Sequence, residues 1–142
     1  MRTMFLLLFF LNVLFPQDKS TPADYWQSLS QPEKIAFVNG AYAAMSTAKM
    51  HHQTAVSKQY KGQANWVPPY YIERYYEIID EHISKEVGSN LELIAGHVDA
   101  LYSSFDNYKI PLMEAIRIVS ISQDGDRSKG NWLLLKAQKR YN

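Results

Sequence analysis

Asp124, Asp126 and Ser128 alternate along the run Asp124-Gly125-Asp126-Arg127-Ser128-Lys129-Gly130. This is the spacing with which a calcium loop turns oxygens toward one cation. The rest of the run opposes that chemistry. The sixth position, where glycine makes the sharp turn, is Lys129, and the twelfth, where a bidentate glutamate belongs, is Leu135. Arg127 and Lys129 would also repel a cation. Gly125 and Gly130 have the glycine spacing of a phosphate-binding loop, but Asn131 follows where lysine is needed and no strand leads in. The run from Gln123 to Gly130 is therefore expected to be a polar loop.

The four histidines are His51, His52, His82 and His97. A zinc site needs several ligands converging, commonly as a histidine pair four residues apart on one helix. No such pair occurs, and adjacent His51 and His52 would point about 100° apart on a helix. His82 and Glu86 are four apart, so a composite metal site would have to use His52, His82 and Glu86. The default for these histidines is a core or boundary position with one ring nitrogen hydrogen-bonded. Glu73, Glu77 and Glu81 line one helical face, whereas general acid–base work needs two carboxyls facing each other in different environments. No serine sits in a G-x-S-x-G arrangement.

The most unusual stretch is aromatic: Trp66-Val67-Pro68-Pro69-Tyr70-Tyr71-Ile72-Glu73-Arg74-Tyr75-Tyr76. Tyr75 and Tyr76 fall on an apolar stripe and are expected in the core. Trp66, Tyr70 and Tyr71 form either a plug over one end of the fold or an exposed surface for a partner, with Glu73 and Glu77 beside it. Aromatic side chains with polar tips supply contact area at low entropic cost, which suits them to interfaces. The surroundings are not basic, which argues against stacking on nucleic acid.

These residues must be positioned by helices. Ser30-Gln31-Pro32-Glu33 is a capping box, and Ile35, Val38, Ala41, Tyr42, Met45 and Ala48 follow at spacings of three and four. That helix weakens after Met50, with Gly62 as a stop. A second helix is predicted from about Tyr70 to Val87 on Ile72, Tyr75, Tyr76, Ile79, Ile83 and Val87, stopped by Gly88. A second capping box, Ser89-Asn90-Leu91-Glu92, opens a third helix on Leu91, Ile94, Val98, Leu101, Tyr102 and Phe105. After a turn at Asp106–Lys109, Ile110-Pro111 opens a fourth, and Asn131–Tyr141 is expected to form a short last helix with basic residues at its C-terminus. The fold class is thus all-α, a compact bundle of four to five helices. Charge separates between elements. Lys34, Lys49, Lys58 and Lys61 face one acid, Glu33, in the first helical region. Glu73, Glu77, Asp80, Glu81 and Glu86 dominate the second, an arrangement expected either of complementary faces on neighbouring helices or of an acidic stripe that meets a basic partner.

Ahead of the bundle, Arg2 precedes an apolar run, Met4–Phe15, broken only by Asn12 and ended by Pro16-Gln17-Asp18-Lys19. This reads as a secretory signal over residues 1–19, too short for the roughly twenty residues of a membrane-spanning helix. Residues 20–142 then form a single helical domain, large enough to bury a core without staples. No stable membrane span is expected unless the leader stays attached. The net charge of +1 provides no global field for nucleic acid, and the absence of cysteine excludes disulfides and thiolate chemistry.

Trp26, Lys34-Ile35-Ala36-Phe37-Val38-Asn39-Gly40, Asp99-Ala100-Leu101-Tyr102, Asn107-Tyr108-Lys109-Ile110-Pro111 and Ala115-Ile116-Arg117-Ile118-Val119 follow one another in this order along the chain. In this pattern the chain resembles small exported bacterial helical proteins of uncharacterised function. It is also similar, more distantly, to periplasmic immunity proteins that protect against wall-degrading effectors, though it lacks their usual cysteines. The resemblance implies an exported domain, periplasmic or extracellular, and carries over no catalytic residue. The expectation is a non-catalytic, protein-binding, adaptor or inhibitor-like role in the cell envelope, without cofactor, toward an envelope protein or peptide. The alternative is a small metal-dependent or hydrolytic envelope enzyme.

Overall fold

The computed structural model describes residues 20–88 and 90–142. The expected leader and the capping role of Ser89 lie outside them. The described residues form six α-helices and no strand: α1 (Pro22–Ser28), α2 (Gln31–Gln59), α3 (Tyr70–Asp80), α4 (Leu91–Leu101), α5 (Leu112–Gln123) and α6 (Arg127–Tyr141), with a 3-10 turn at Phe105–Asn107. The all-helical expectation is met, with one helix more than the four to five expected. None of the described helices is long and apolar enough to cross a membrane.

The additional helix is α1. Thr21 and Asp24 form a capping box, with the Thr21 N–H and hydroxyl donating to the Asp24 carboxylate at 2.7 and 2.8 Å and Pro22 opening the first turn. Ser30 caps α2 in the same manner, its N–H and hydroxyl donating to Glu33 at 2.7 and 2.6 Å. α2 then runs for 29 residues, about 43 Å. Its first half packs against α4 and buries Val38 and Tyr42. Its second half presents a single half-buried row, Met45, Lys49, His52 and Val56, and meets α3.

α5 forms the centre. It buries Leu112, Ala115, Ile116, Ile118, Val119, Ser120 and Ile121, apolar on nearly every side, as befits a helix enclosed by α4, α6 and α1. α6 approaches it closely through Gly130, where an added Cβ would fall 2.0 Å from the Ser122 hydroxyl.

The residues that carry the exported-protein resemblance turn out to be structural. Trp26 is wholly buried and its indole N–H donates to Asp99 at 2.8 Å, while Lys34 binds the same carboxylate at 2.7 Å. Tyr102, also wholly buried, donates to the Ile110 carbonyl at 2.7 Å. Asn107 donates to the Leu101 carbonyl and accepts from Gln138, which ties the turn to both α4 and α6.

Two sequence expectations are corrected here. The second predicted helix was to reach Val87, but α3 ends at Asp80. Beyond it, the Ser84 N–H donates to the Tyr42 hydroxyl at 3.1 Å. The Lys85 and Glu86 N–H groups, with the Ser84 hydroxyl, donate to Asp124 at 2.6–3.2 Å. Tertiary acceptors thus replace the helical ones, and Ile83 and Val87 still pack inward from a non-helical backbone. The polar loop at 123–130 is shorter than expected. Gly125 takes the left-handed conformation that closes α5, and Asp126 caps α6, accepting the Lys129 N–H at 3.0 Å.

Burial acts to raise the Asp124 carboxyl, but its Ser84, Lys85 and Glu86 donors and the Lys85 charge outweigh that and hold it below the usual range. Asp124→Ala should therefore cost about 1–3 kcal/mol, since it strips acceptors from two backbone N–H groups and a buried hydroxyl. Urea denaturation checks this. Asp124→Asn, which keeps one acceptor oxygen, should recover part of the loss, and equal stability of all three proteins would show that the 81–88 segment does not depend on this anchor.

Candidate functional site

α3 is apolar on two faces. Ile72, Tyr76 and Ile79 recur at four and three residues and point inward, Ile72 and Ile79 being buried. Tyr71, Tyr75 and Ile78 recur at the same spacing one residue out of phase, about 100° around the helix. This second stripe is exposed: Tyr71 by 69%, Tyr75 by 40%, and Ile78 likewise, with Tyr70 76% exposed at the first turn and Val67 ahead of it. A helix packed on one side needs only one apolar stripe, so the outer one is surplus to the fold.

The structure divides the expected partner-binding set. Tyr70 and Tyr71 are exposed as one of the two readings required. Trp66 does not share that surface. It is half-buried and stacks nearly parallel on Tyr60, with ring centroids 4.1 Å apart, fastening the connector to the end of α2. Glu73 and Glu77 are exposed on the far side of α3 from Tyr75, and Glu77 is held by Arg74 at 2.9 Å. Tyr75 corrects the expectation of a core residue. α2 meets α3 through Lys49, paired with Asp80 at 2.6 Å, and through His52, whose Nδ1 lies 2.9 Å from the Tyr76 hydroxyl and whose ring sits 5.0 Å from that of Tyr75, which stays 40% exposed. Val67 and Ile78 went unremarked in the sequence. Their signal is that Ile78 continues the Tyr71–Tyr75 spacing.

The composite metal set does not assemble. His52 is engaged with Tyr76, His82 donates Nδ1–H to the Ile78 carbonyl at 2.8 Å, and the Glu86 backbone joins the Asp124 anchor. Among the described residues no group of three or more histidines, aspartates or glutamates is placed to hold a metal. Asp124, Asp126 and Ser128 likewise do not converge as a calcium loop would require, because Asp124 faces the 84–86 backbone and Asp126 faces α6.

The strongest electrostatic feature was not anticipated. Glu81, just past α3, is only 8% exposed and accepts from Arg74 at 3.1 Å, Lys129 at 2.9 Å and Arg117 at 2.9 Å through Nε. Burial alone would raise its carboxyl. The Lys129 and Arg117 hydrogen bonds, the Arg117 charge and the Arg74 bond override that and lower it to about 2. Most charges that line the cleft of about 280 Å³ beside it already have partners: Asp80 with Lys49, Glu77 with Arg74, and Asp124 with the 84–86 segment. This cluster therefore joins α3, α5 and α6 and is not an open site.

The fold and this surface define a small helical domain that displays an exposed, aromatic-rich face on α3. Comparison with family models, curated proteins and solved structures returns no match.

Proposed function

We propose that this chain is an exported, non-catalytic helical domain that binds a partner protein in the cell envelope through the outer face of α3. The observation that carries the reading is the second apolar stripe, Tyr71, Tyr75 and Ile78, with Tyr70 at its head. Tyrosines on a helix anchored by its adjoining face, through Ile72 and Ile79, are held ready, so little ordering is required on binding.

The test is capture from native envelope extracts with the tagged protein and with a Tyr71→Ser, Tyr75→Ser, Ile78→Ser triple variant. One predominant partner should be retained by the wild type. The variant should retain it about tenfold less or weaker, a loss of roughly 1.4 kcal/mol or more, while its melting temperature stays close to that of the wild type. Equal retention by both proteins would remove α3 as the binding face.

A further inference from the structure

Charge is distributed unevenly along the chain. α6 and the residue after it hold Arg127, Lys129, Lys136, Lys139 and Arg140 and no acid. The described residues ahead of it carry an excess of carboxylates. Only Lys129 of the α6 cations has a carboxylate partner, Glu81, among the described residues.

Lys136 and Arg140 lie one turn apart on one face of α6, a like-charge pair at the spacing that weakly destabilises a helix. Each is set against an aromatic ring: the Lys136 ammonium 4.9 Å from the Trp132 centroid, and the Arg140 guanidinium 5.5 Å from that of Tyr141. They border a cavity of about 230 Å³ whose lining also includes Arg74 from α3 and Arg117 from α5. The dipole of α6 favours basic residues near its end. It does not account for two arginines from other helices reaching the same cavity.

The carboxylates nearby do not balance these cations. Glu114 is the one acid in the lining and sits 3.4 Å from Arg117. Glu81 lies behind Arg74 and Arg117 and is shared with Lys129, and Glu77 pairs outward with Arg74. Arg74, Arg117, Lys129, Lys136 and Arg140 thus meet three carboxylates. Among the described residues, no carboxylate pairs with Lys136 or Arg140.

We propose that this cavity between α3, α5 and α6 is a binding site for a single oxyanion group, a phosphate or a carboxylate, carried by a ligand whose apolar part rests on Trp132. The cavity is smaller than the roughly 300–1,000 Å³ of a site enclosing a whole drug-sized molecule, so it takes one charged group of a ligand and leaves the remainder over the exposed indole. Guanidinium and ammonium groups lining one cleft can form the charge-assisted hydrogen bonds that hold such groups, and Lys136 and Arg140 bring donors that no carboxylate among the described residues takes up. The site is separate from the outer stripe of α3 and does not depend on it.

The experiment is a titration of isotope-labelled protein with inorganic phosphate, and separately with succinate, at constant ionic strength. The Trp132 indole N–H resonance, identified by its loss in Trp132→Phe, is the readout. A saturable shift confined to residues around the cavity is expected. The Lys136→Gln, Arg140→Gln double variant should weaken it about tenfold or more with an unchanged melting temperature, since both side chains are exposed. Saturation by either anion supports the site, and the tighter of the two names the group it holds. Failure of both to saturate, or equal affinity in the double variant, overturns it. Neither result bears on partner capture by α3.

Discussion

Trp26→Ala is expected to remove about 3–5 kcal/mol of stability, a large share of the roughly 5–15 kcal/mol that holds a domain of this size together. The indole has no exposure to water and lies where three helices converge. α1 is only seven residues long, too short to be helical on its own, so its place depends on what Trp26 buries. Phe37 of α2 meets the indole edge-on, with centroids 6.2 Å apart, and Asp99 of α4 accepts its N–H. Truncation leaves a cavity the size of a fused ring and releases α1 from Asp99. Trp26→Phe separates the two effects. It keeps most of the packing, and Asp99 retains Lys34, so the cost should fall to about 1–2 kcal/mol. Thermal unfolding should show Trp26→Ala melting about 10–20 °C below the wild type and Trp26→Phe much closer to it. A Trp26→Ala protein melting with the wild type would mean that α1 is not part of the cooperative unit.

The same residue shows what can be read from sequence. Trp26, Lys34, Asp99, Tyr102 and Asn107 lie in the segments that carry the resemblance, and the structure makes each of them a tie between elements. The helices were legible wherever apolar residues recur at three and four, because a packed helix must bury one stripe. The overextended second helix had a different cause. Ile83 and Val87 continue the spacing and are packed inward, so their side chains satisfy the pattern, while the backbone between them is held by Tyr42 and Asp124 from 38–42 residues away in sequence. A pattern of side chains carries no information about where N–H groups find acceptors.

The surface was legible in part for a related reason. Composition marked Tyr70 and Tyr71 as unusual, but the contact of Trp66 with Tyr60 and the exposure of Tyr75 depend on which side of α3 faces α2. The oxyanion cavity could not be seen at all, since it assembles residues 74, 117, 136 and 140 from three helices. The basic tail was visible and was explained by the helix dipole alone.

Loss of the Glu81 carboxylate is the other change with a large expected effect, and it has a pH signature. In Glu81→Gln, Arg74, Arg117 and Lys129 converge on a group without charge. Removing one member of a buried ion pair costs about 3–5 kcal/mol. Arg74 and Lys129 reach solvent and can rehydrate, so the loss should lie near 3 kcal/mol and fall mainly on Arg117. The sign follows from linkage. The folded carboxyl titrates at about 2 against 4.5 unperturbed, so the folded state holds the charged form more tightly. Its contribution is complete above about pH 4.5 and is lost as pH falls toward 2. A shift of this size corresponds to roughly 3 kcal/mol, reduced to about 2 kcal/mol by solvent around the two outer cations. Denaturant unfolding of wild type and Glu81→Gln between neutral pH and pH 2 should therefore give curves that converge on acidification. The difference between them isolates Glu81 from the other carboxylates. A constant gap across that range would show that Glu81 is not held ionised by its three partners.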